Sequence, residues 1–223
     1  MRTPFSPQHL LFFLFALAVL IAFIQIGAFT IAFDKLGVSQ ESAFLLLITS
    51  LFGSAINLPL FQMRSEPPPP VTAMDWHLRR LLRIPPAEFS GKTVVAVNVG
   101  GCLIPLMFSL YLLSRTPLGI GETLLATAIV AAISRYGSRP IPGVGIGMPV
   151  LLAPVTAALT AVLVNPEQSA PLAYISGTLG VLIGADLLRL NDIRRMGTPL
   201  ASIGGAGTFD GIFITGIVAV LLA

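Results

Sequence analysis

Charge is what this chain has least of: Asp, Glu, Lys and Arg together make up 10% of its 223 residues, where soluble domains carry about 25%. Too little polar surface remains to cover a separate soluble domain. The net charge of +3 is small for the length, so no nucleic-acid partner is expected. A single cysteine, Cys102, excludes an intrachain disulfide and reads as a small packing residue in an apolar run. The only histidines, His9 and His77, are far apart and form no ligand cluster. Neither a metal nor a cofactor is therefore expected. In place of charge the chain has 55% hydrophobic residues and a mean hydropathy of +0.89. These describe a polytopic membrane protein.

A crossing needs roughly 20 apolar residues, and the sequence offers about seven candidates. They run from about Leu10 to Phe33, Ser42 to Leu60, Thr93 to Leu113, Glu122 to Ser134, Met148 to Val164, Leu172 to Leu190 and Leu200 to Leu222. The fourth, about 13 residues, is short for a ~30 Å hydrocarbon core. The expected fold is all-α: one transmembrane bundle over residues 1–223.

With seven spans, 11 of the 13 Lys and Arg fall on one side, in the N-terminus and the loops 61–92, 135–147 and 189–199. Lys35 and Arg115 fall on the other. Cytoplasmic loops are enriched in Lys and Arg, so the N-terminus is placed in the cytoplasm and the C-terminus outside. Loop 61–92 holds a stiff four-proline spacer, Pro67 to Pro70. Beyond it Met74, Leu78, Leu81 and Leu82 recur at helical spacing among Arg79, Arg80 and Arg83, as in a helix lying on an anionic leaflet.

Between the fourth and fifth spans, Pro140, Pro142 and Pro149 surround the alternate glycines Gly143, Gly145 and Gly147. No helix continues through that pattern, so a broken or re-entrant segment is expected, or a tight turn at the inner surface. It is not a nucleotide loop, because no Gly-Lys-Ser/Thr follows. Near the C-terminus Gly177, Gly180 and Gly184 recur at three or four residues, and Gly204, Gly205 and Gly207 follow. Such spacing brings helix backbones close. Asn57 and Asn98 are further polar groups in apolar surroundings and count as cavity candidates, with a bond to a neighbouring helix as the alternative.

Two carboxylates stand out against this background, Asp186 and Asp210. A carboxylate at membrane depth costs at least ~2.5 kcal/mol on insertion scales and is kept for a reason. The sixth span runs inward and the seventh runs back, which places both aspartates in the inner half of the bilayer. Two carboxyls held close in a low dielectric share a proton. One can then activate water while the other polarises a carbonyl, the chemistry of an aspartyl protease acting on a transmembrane peptide. The same pair equally suits a proton- or cation-coupled transporter or channel. A non-catalytic scaffold is the third reading. The pair, with Gly205, Gly207 and the Pro142 to Pro149 segment, forms the expected site; the oligomeric state is left open.

The strings Gly53-Ser54-Ala55-Ile56-Asn57-Leu58-Pro59, Pro142-Gly143-Val144-Gly145-Ile146 and Ser202-Ile203-Gly204-Gly205-Ala206-Gly207-Thr208-Phe209-Asp210-Gly211-Ile212-Phe213 resemble a prokaryotic membrane family known as domain of unknown function 1614. That resemblance implies residence in a prokaryotic inner membrane and no particular activity. A second resemblance is to the presenilin-type intramembrane aspartyl proteases, in which an aspartate near the inner end of one helix pairs with a Gly-x-Gly-Asp aspartate on the next. It implies that Asp186 and Asp210 are catalytic. Two residues, Thr208 and Phe209, separate Gly207 from Asp210 here, and Pro149-Val150-Leu151 stands nearest to that family's Pro-Ala-Leu element.

Overall fold

The computed structural model describes residues 27–67, 91–141, 145–205 and 211–223, and the apolar runs among them fold mostly as helices. α1 (Gly27–Lys35) and α2 (Gln40–Gly53) meet at a bend of 112°. Gly37 allows the turn at φ +67, and the Ser39 hydroxyl caps α2 by accepting the Ser42 N–H. Then come α3 (Ile104–Arg115), α4 (Ile120–Gly137), α5 (Leu152–Val164) and α6 (Ser169–Val181). The helical path of α6 continues through a π turn (Leu182–Asp186), a 3-10 turn (Leu187–Arg189) and the short α7 (Leu190–Ile193). The last helix, α8, is Gly211–Leu222. Pro105, Pro154 and Pro171 all sit in first turns, where the missing N–H interrupts no ladder.

Side-chain bonds identify which helix ends lie together. At one end Glu122 of α4 accepts from Asn165 beyond α5 at 2.9 Å. There too Ser169 of α6 donates to the Ala223 carbonyl at 3.3 Å, and Lys35 of α1 to that of Val220 at 3.2 Å. At the other end Arg189 donates to the Arg135 carbonyl at the close of α4, at 2.6 Å. The long helices therefore alternate in direction along the chain.

The all-α expectation is corrected at that second end, where strands assemble. β1 (Asn57–Arg64) pairs antiparallel with β2 (Lys92–Asn98), and β2 pairs parallel with β5 (Leu200–Ile203). A second, two-stranded sheet joins β3 (Arg139–Ile141) to β4 (Gly145–Gly147). The expected second span thus divides into α2 and β1, the third into β2 and α3, and the last into β5 and α8. Continuous apolar runs look alike in hydropathy whether they become buried strand or helix, and the β-branched Thr93, Val94, Val95 and Val97 favour the strand. Pro59 fits β1 because β1 is an edge strand with a register shift between Pro59 and Phe61. The fourth segment errs the other way: α4 has 18 residues rather than about 13. Loop 61–92 opens inside β1, and its proposed surface helix lies outside the described residues.

α6 is buried along almost its whole length, including every residue from Pro171 to Thr178, as a helix surrounded by others must be. On one flank Tyr174 meets Phe108 of α3 edge-on, with ring centroids 4.9 Å apart, an arrangement that contributes about 0.5–1.5 kcal/mol beyond burial. On another, Ala126 and Val130 of α4, Ala157 and Ala161 of α5 and Ala219 of α8 make a core of small side chains. The outer surfaces of these helices are apolar as well: Phe52, Ile120 and Leu163 are 71%, 75% and 82% exposed.

Among the described residues one helix is long and apolar enough to cross a membrane, the continuous Ser169–Ile193 of 25 residues. α1 and α2 pass the same test only as a bent pair.

Candidate functional site

Asp186 is placed by a fault in its own helix. Gly180 and Gly184 let α6 lie directly on α4: a Cβ at Gly180 would stand 2.6 Å from Val130 Cβ, and one at Gly184 would stand 2.1 Å from the Ala131 carbonyl oxygen. Immediately around Gly184 the helix widens into the π turn that ends at Asp186. Such widenings recur at functional sites because they redirect one side chain out of helical register. The Asp186 carboxylate reaches across to the start of the last connection, and its Oδ2 accepts the Gly204 N–H at 2.8 Å. Among the described residues Oδ1 accepts no hydrogen bond.

Gly204 cannot be another residue without displacing backbone. Its φ is +85, and a Cβ there would lie 2.7 Å from Cys102 N. Cys102 belongs to a second π turn, Val99–Leu103, capped by the Asn98 side chain, whose oxygen accepts the Gly101 N–H at 2.7 Å. The Asn98 amide also donates to the Ser54 carbonyl at 2.7 Å and to Asn57 Oδ1 at 3.0 Å. Ser202 Oγ donates to the same Asn57 oxygen at 2.6 Å. Asn57 and Asn98 are direct cross-strand partners that lock β1, β2 and β5 together. Both asparagines thus make the bonds to neighbouring elements that were the alternative to a cavity role.

A cavity of about 350 Å³ opens beside Asp186, with Ile146, Met148, Pro149, Gly205 and Thr215 in its wall. Asp186 is its single ionisable lining residue among those described.

The model of a family described as "Protein of unknown function (DUF1614)" matches residues 51–222. The chain belongs to that family. No curated protein and no solved structure matches it.

The DUF1614 match begins near the end of α2 and takes in both π turns, both sheets and the cavity. Of the site residues expected from the sequence, Asp186, Pro149 and Gly205 share the cavity wall. Gly145 and Gly147 lie in β4, so the Pro/Gly segment makes a strand pair on either side of residues 142–144. Pro142, Gly143, Gly207 and Asp210 lie outside the described residues, and so does the distance between the two carboxyl groups. Gly205 and Ile212, five residues before and two residues after Asp210 in sequence, both line the cavity.

Two residues important to the geometry carry no sequence signal of their own. Thr215 is one hydroxyl in an apolar helix, and Arg189 reads as an ordinary basic flank. Yet Arg189 is buried, donating to Ser138 Oγ at 2.7 Å, to Asp192 Oδ2 at 2.8 Å and to the carbonyls of Arg135 and Ser138. It fixes the 3-10 turn that follows Asp186.

Proposed function

We propose that this DUF1614 protein is a multi-pass membrane protein in which Asp186 and Asp210 hydrolyse peptide bonds within the bilayer. Membrane residence is supported by the apolar outer surfaces of α2, α4 and α5, far larger than solvated monomers expose. Orientation is supported by charge. Arg64, Lys92, Arg135, Arg139, Arg189, Arg194 and Arg195 gather at the sheet end, against Lys35 and Arg115 at the other. The sheet end is therefore the cytoplasmic one, and the C-terminus lies outside. A periplasm-active reporter fused after Ala223 is expected to be active, and one inserted near Pro68 silent. The opposite pattern would overturn the orientation.

The observation that carries the activity is the position of Asp186, alone among the described ionisable groups in a largely apolar cavity whose wall includes Gly205 and Ile212 on either side of Asp210 in the chain. Gly204 N–H holds Oδ2 and leaves Oδ1 for a water or a shared proton. With one carboxyl ionised and its partner protonated, the first draws a proton from water and the second hydrogen-bonds the scissile carbonyl. β5, an edge strand, ends one residue before Gly204, and an extended peptide is the form such an edge accepts.

Cleavage of a transmembrane peptide by the reconstituted full chain is the test. Asp186→Asn and Asp210→Asn each keep size and hydrogen bonding but remove the titrating group, so each is expected to lower the rate by at least ~100-fold with the folded protein still in the membrane. Wild-type protein that cuts nothing overturns the proposal. A proton- or cation-coupled carrier is the second reading, favoured by the break in α6 at Asp186, since interrupted helices form ion sites in transporters. It is distinguished by ion-dependent uptake that both Asn variants lose.

A further inference from the structure

A second cavity, of about 680 Å³, opens at the opposite end of the bundle, where Lys35, Arg115 and Glu167 are its charged lining groups and Ala170 and Pro171 its floor on α6. The Asp186 cavity meets α6 at Val181 and Ala185. Within α6, Pro171, Tyr174, Thr178 and Val181 follow one another at intervals of three or four, so they form a single stripe on one face of the helix. The two cavities thus open on the same face, separated by ten residues or ~15 Å of helix. Only two side chains of the stripe lie between them. Both carry hydroxyls.

Tyr174 and Thr178 are fully buried, and apart from one another neither hydroxyl has a hydrogen-bond partner among the described residues. Even a bond from one to the other leaves an O–H without an acceptor. Thr127, Ser134 and Thr198 are likewise buried without a partner among the described residues, whereas Thr123, Thr156 and Ser109 donate to the carbonyl one turn back. What sets Tyr174 and Thr178 apart is their place on the stripe between the two cavities. Gly216 of α8 packs against the pair: a Cβ there would stand 2.8 Å from the Tyr174 ring and 3.0 Å from Thr178 Oγ1. Phenylalanine and valine would fill the same space without the cost of dehydrated oxygens.

We propose that Tyr174 and Thr178 are a proton relay joining the Asp186 cavity to the opposite face of the membrane. The outer cavity ends at Pro171, one turn short of Tyr174, so a water entering from it carries the proton across that turn and protonates Tyr174 Oη as Tyr174 passes its own to Thr178 Oγ1. Thr178, one turn from the inner cavity's wall at Val181, releases its own proton to water entering from that cavity, which has room for several molecules at about 30 Å³ each, and from there it reaches the Asp186 carboxylate. Rotation of the two hydroxyls restores the starting state. One proton has moved, and only O–H bonds have formed and broken. The relay rests on Asp186 being a working ionisable group, and not on peptide cleavage.

Proton flux into pyranine-loaded proteoliposomes, driven by a potassium diffusion potential and with no peptide present, tests it. Wild-type protein is expected to raise flux above that of protein-free vesicles. Tyr174→Phe, which keeps the ring against Phe108, and Thr178→Val, which keeps the shape, are each expected to lower the protein-dependent flux by on the order of tenfold or more. Thr178→Ser restores a hydroxyl and is expected to retain flux, which separates the relay from a loss of packing. Equal flux in wild type and both hydroxyl-free variants overturns the relay, as does wild-type flux no greater than that of empty vesicles. Failure of cleavage with this pattern intact would remove the protease and leave the relay standing.

Discussion

Gly184→Val is expected to destabilise the folded protein by about 3 kcal/mol, at the upper end of the range for overpacking a tight core. A Cβ at this position would lie 2.1 Å from the Ala131 carbonyl oxygen and 2.9 Å from its carbon. The obstacle is backbone, so no rotamer change relieves it. α4 and α6 have to part by an ångström or more. The parting is felt at Gly180 too, where the Val130 side chain already occupies the space a Cβ would need. Separated helices lose dispersion contacts along the whole interface, because a gap of even 1 Å forfeits a quarter to a half of each contact. For a chain of this size such a loss lowers Tm by roughly 6–12 °C. Thermal or denaturant unfolding in bicelles measures it. Gly121→Ala, in the first turn of α4 with nothing within 4 Å of an added Cβ, serves as the control and is expected to leave Tm unchanged or slightly raised. If Gly184→Val unfolds with the wild type, the close approach of α4 and α6 is wrong.

That interface was legible in the sequence, because Gly177, Gly180 and Gly184 recur at the spacing of one helix face and small residues have few other uses on an apolar helix. The helices were legible for a similar reason: runs such as Leu152–Val164 and Ser169–Val181 are too long and too apolar for most alternatives. The strands were not. All of β2 but Lys92 falls in the run, from Thr93, that also becomes α3, and hydropathy does not record where a chain changes from strand to helix. The turn itself is made by Asn98 capping a π turn, a side-chain bond that depends on Gly100 fitting against α2.

At the site, Asp186 declared itself as a carboxylate in an apolar run, and its cavity also takes in Pro149 and Gly205. The two asparagines looked equally out of place, and the bonds they make were not legible. Asn57 and Asn98 are 41 residues apart and meet only because β1 pairs with β2. No local pattern records a partner that distant. The unpaired hydroxyls of Tyr174 and Thr178 are hidden for the opposite reason, since a sequence shows which hydroxyls exist but not which of them lack an acceptor.

Arg189→Ala is expected to cost about 3 kcal/mol, the loss typical of breaking a buried charge network on one side. The guanidinium reaches Ser138 Oγ at 2.7 Å, the carbonyls of Arg135 and Ser138, and Asp192 Oδ2 at 2.8 Å. Three of these four acceptors belong to the end of α4 and its cap Ser138, where the last carbonyls have no partners within the helix. With the arginine gone, Ser138 is left fully buried without its donor. Asp192 keeps only the longer approach of Arg135 at 3.9 Å. Lysine at this position carries the charge but not the planar fork, and its ammonium cannot serve acceptors on both α4 and Asp192 in the same geometry. Arg189→Lys is therefore expected to recover less than half of the loss. Asp192→Asn leaves the bonds to α4 in place and is expected to be the mildest of the three. Unfolding in bicelles orders them, and equal stability of Arg189→Ala and wild type would show that the network holds nothing. Because Arg189 pins the turn that directly follows Asp186, peptide cleavage and proton flux should both fall in Arg189→Ala under conditions where the protein is still folded: a carboxylate displaced by about 1 Å loses on the order of 100-fold in rate.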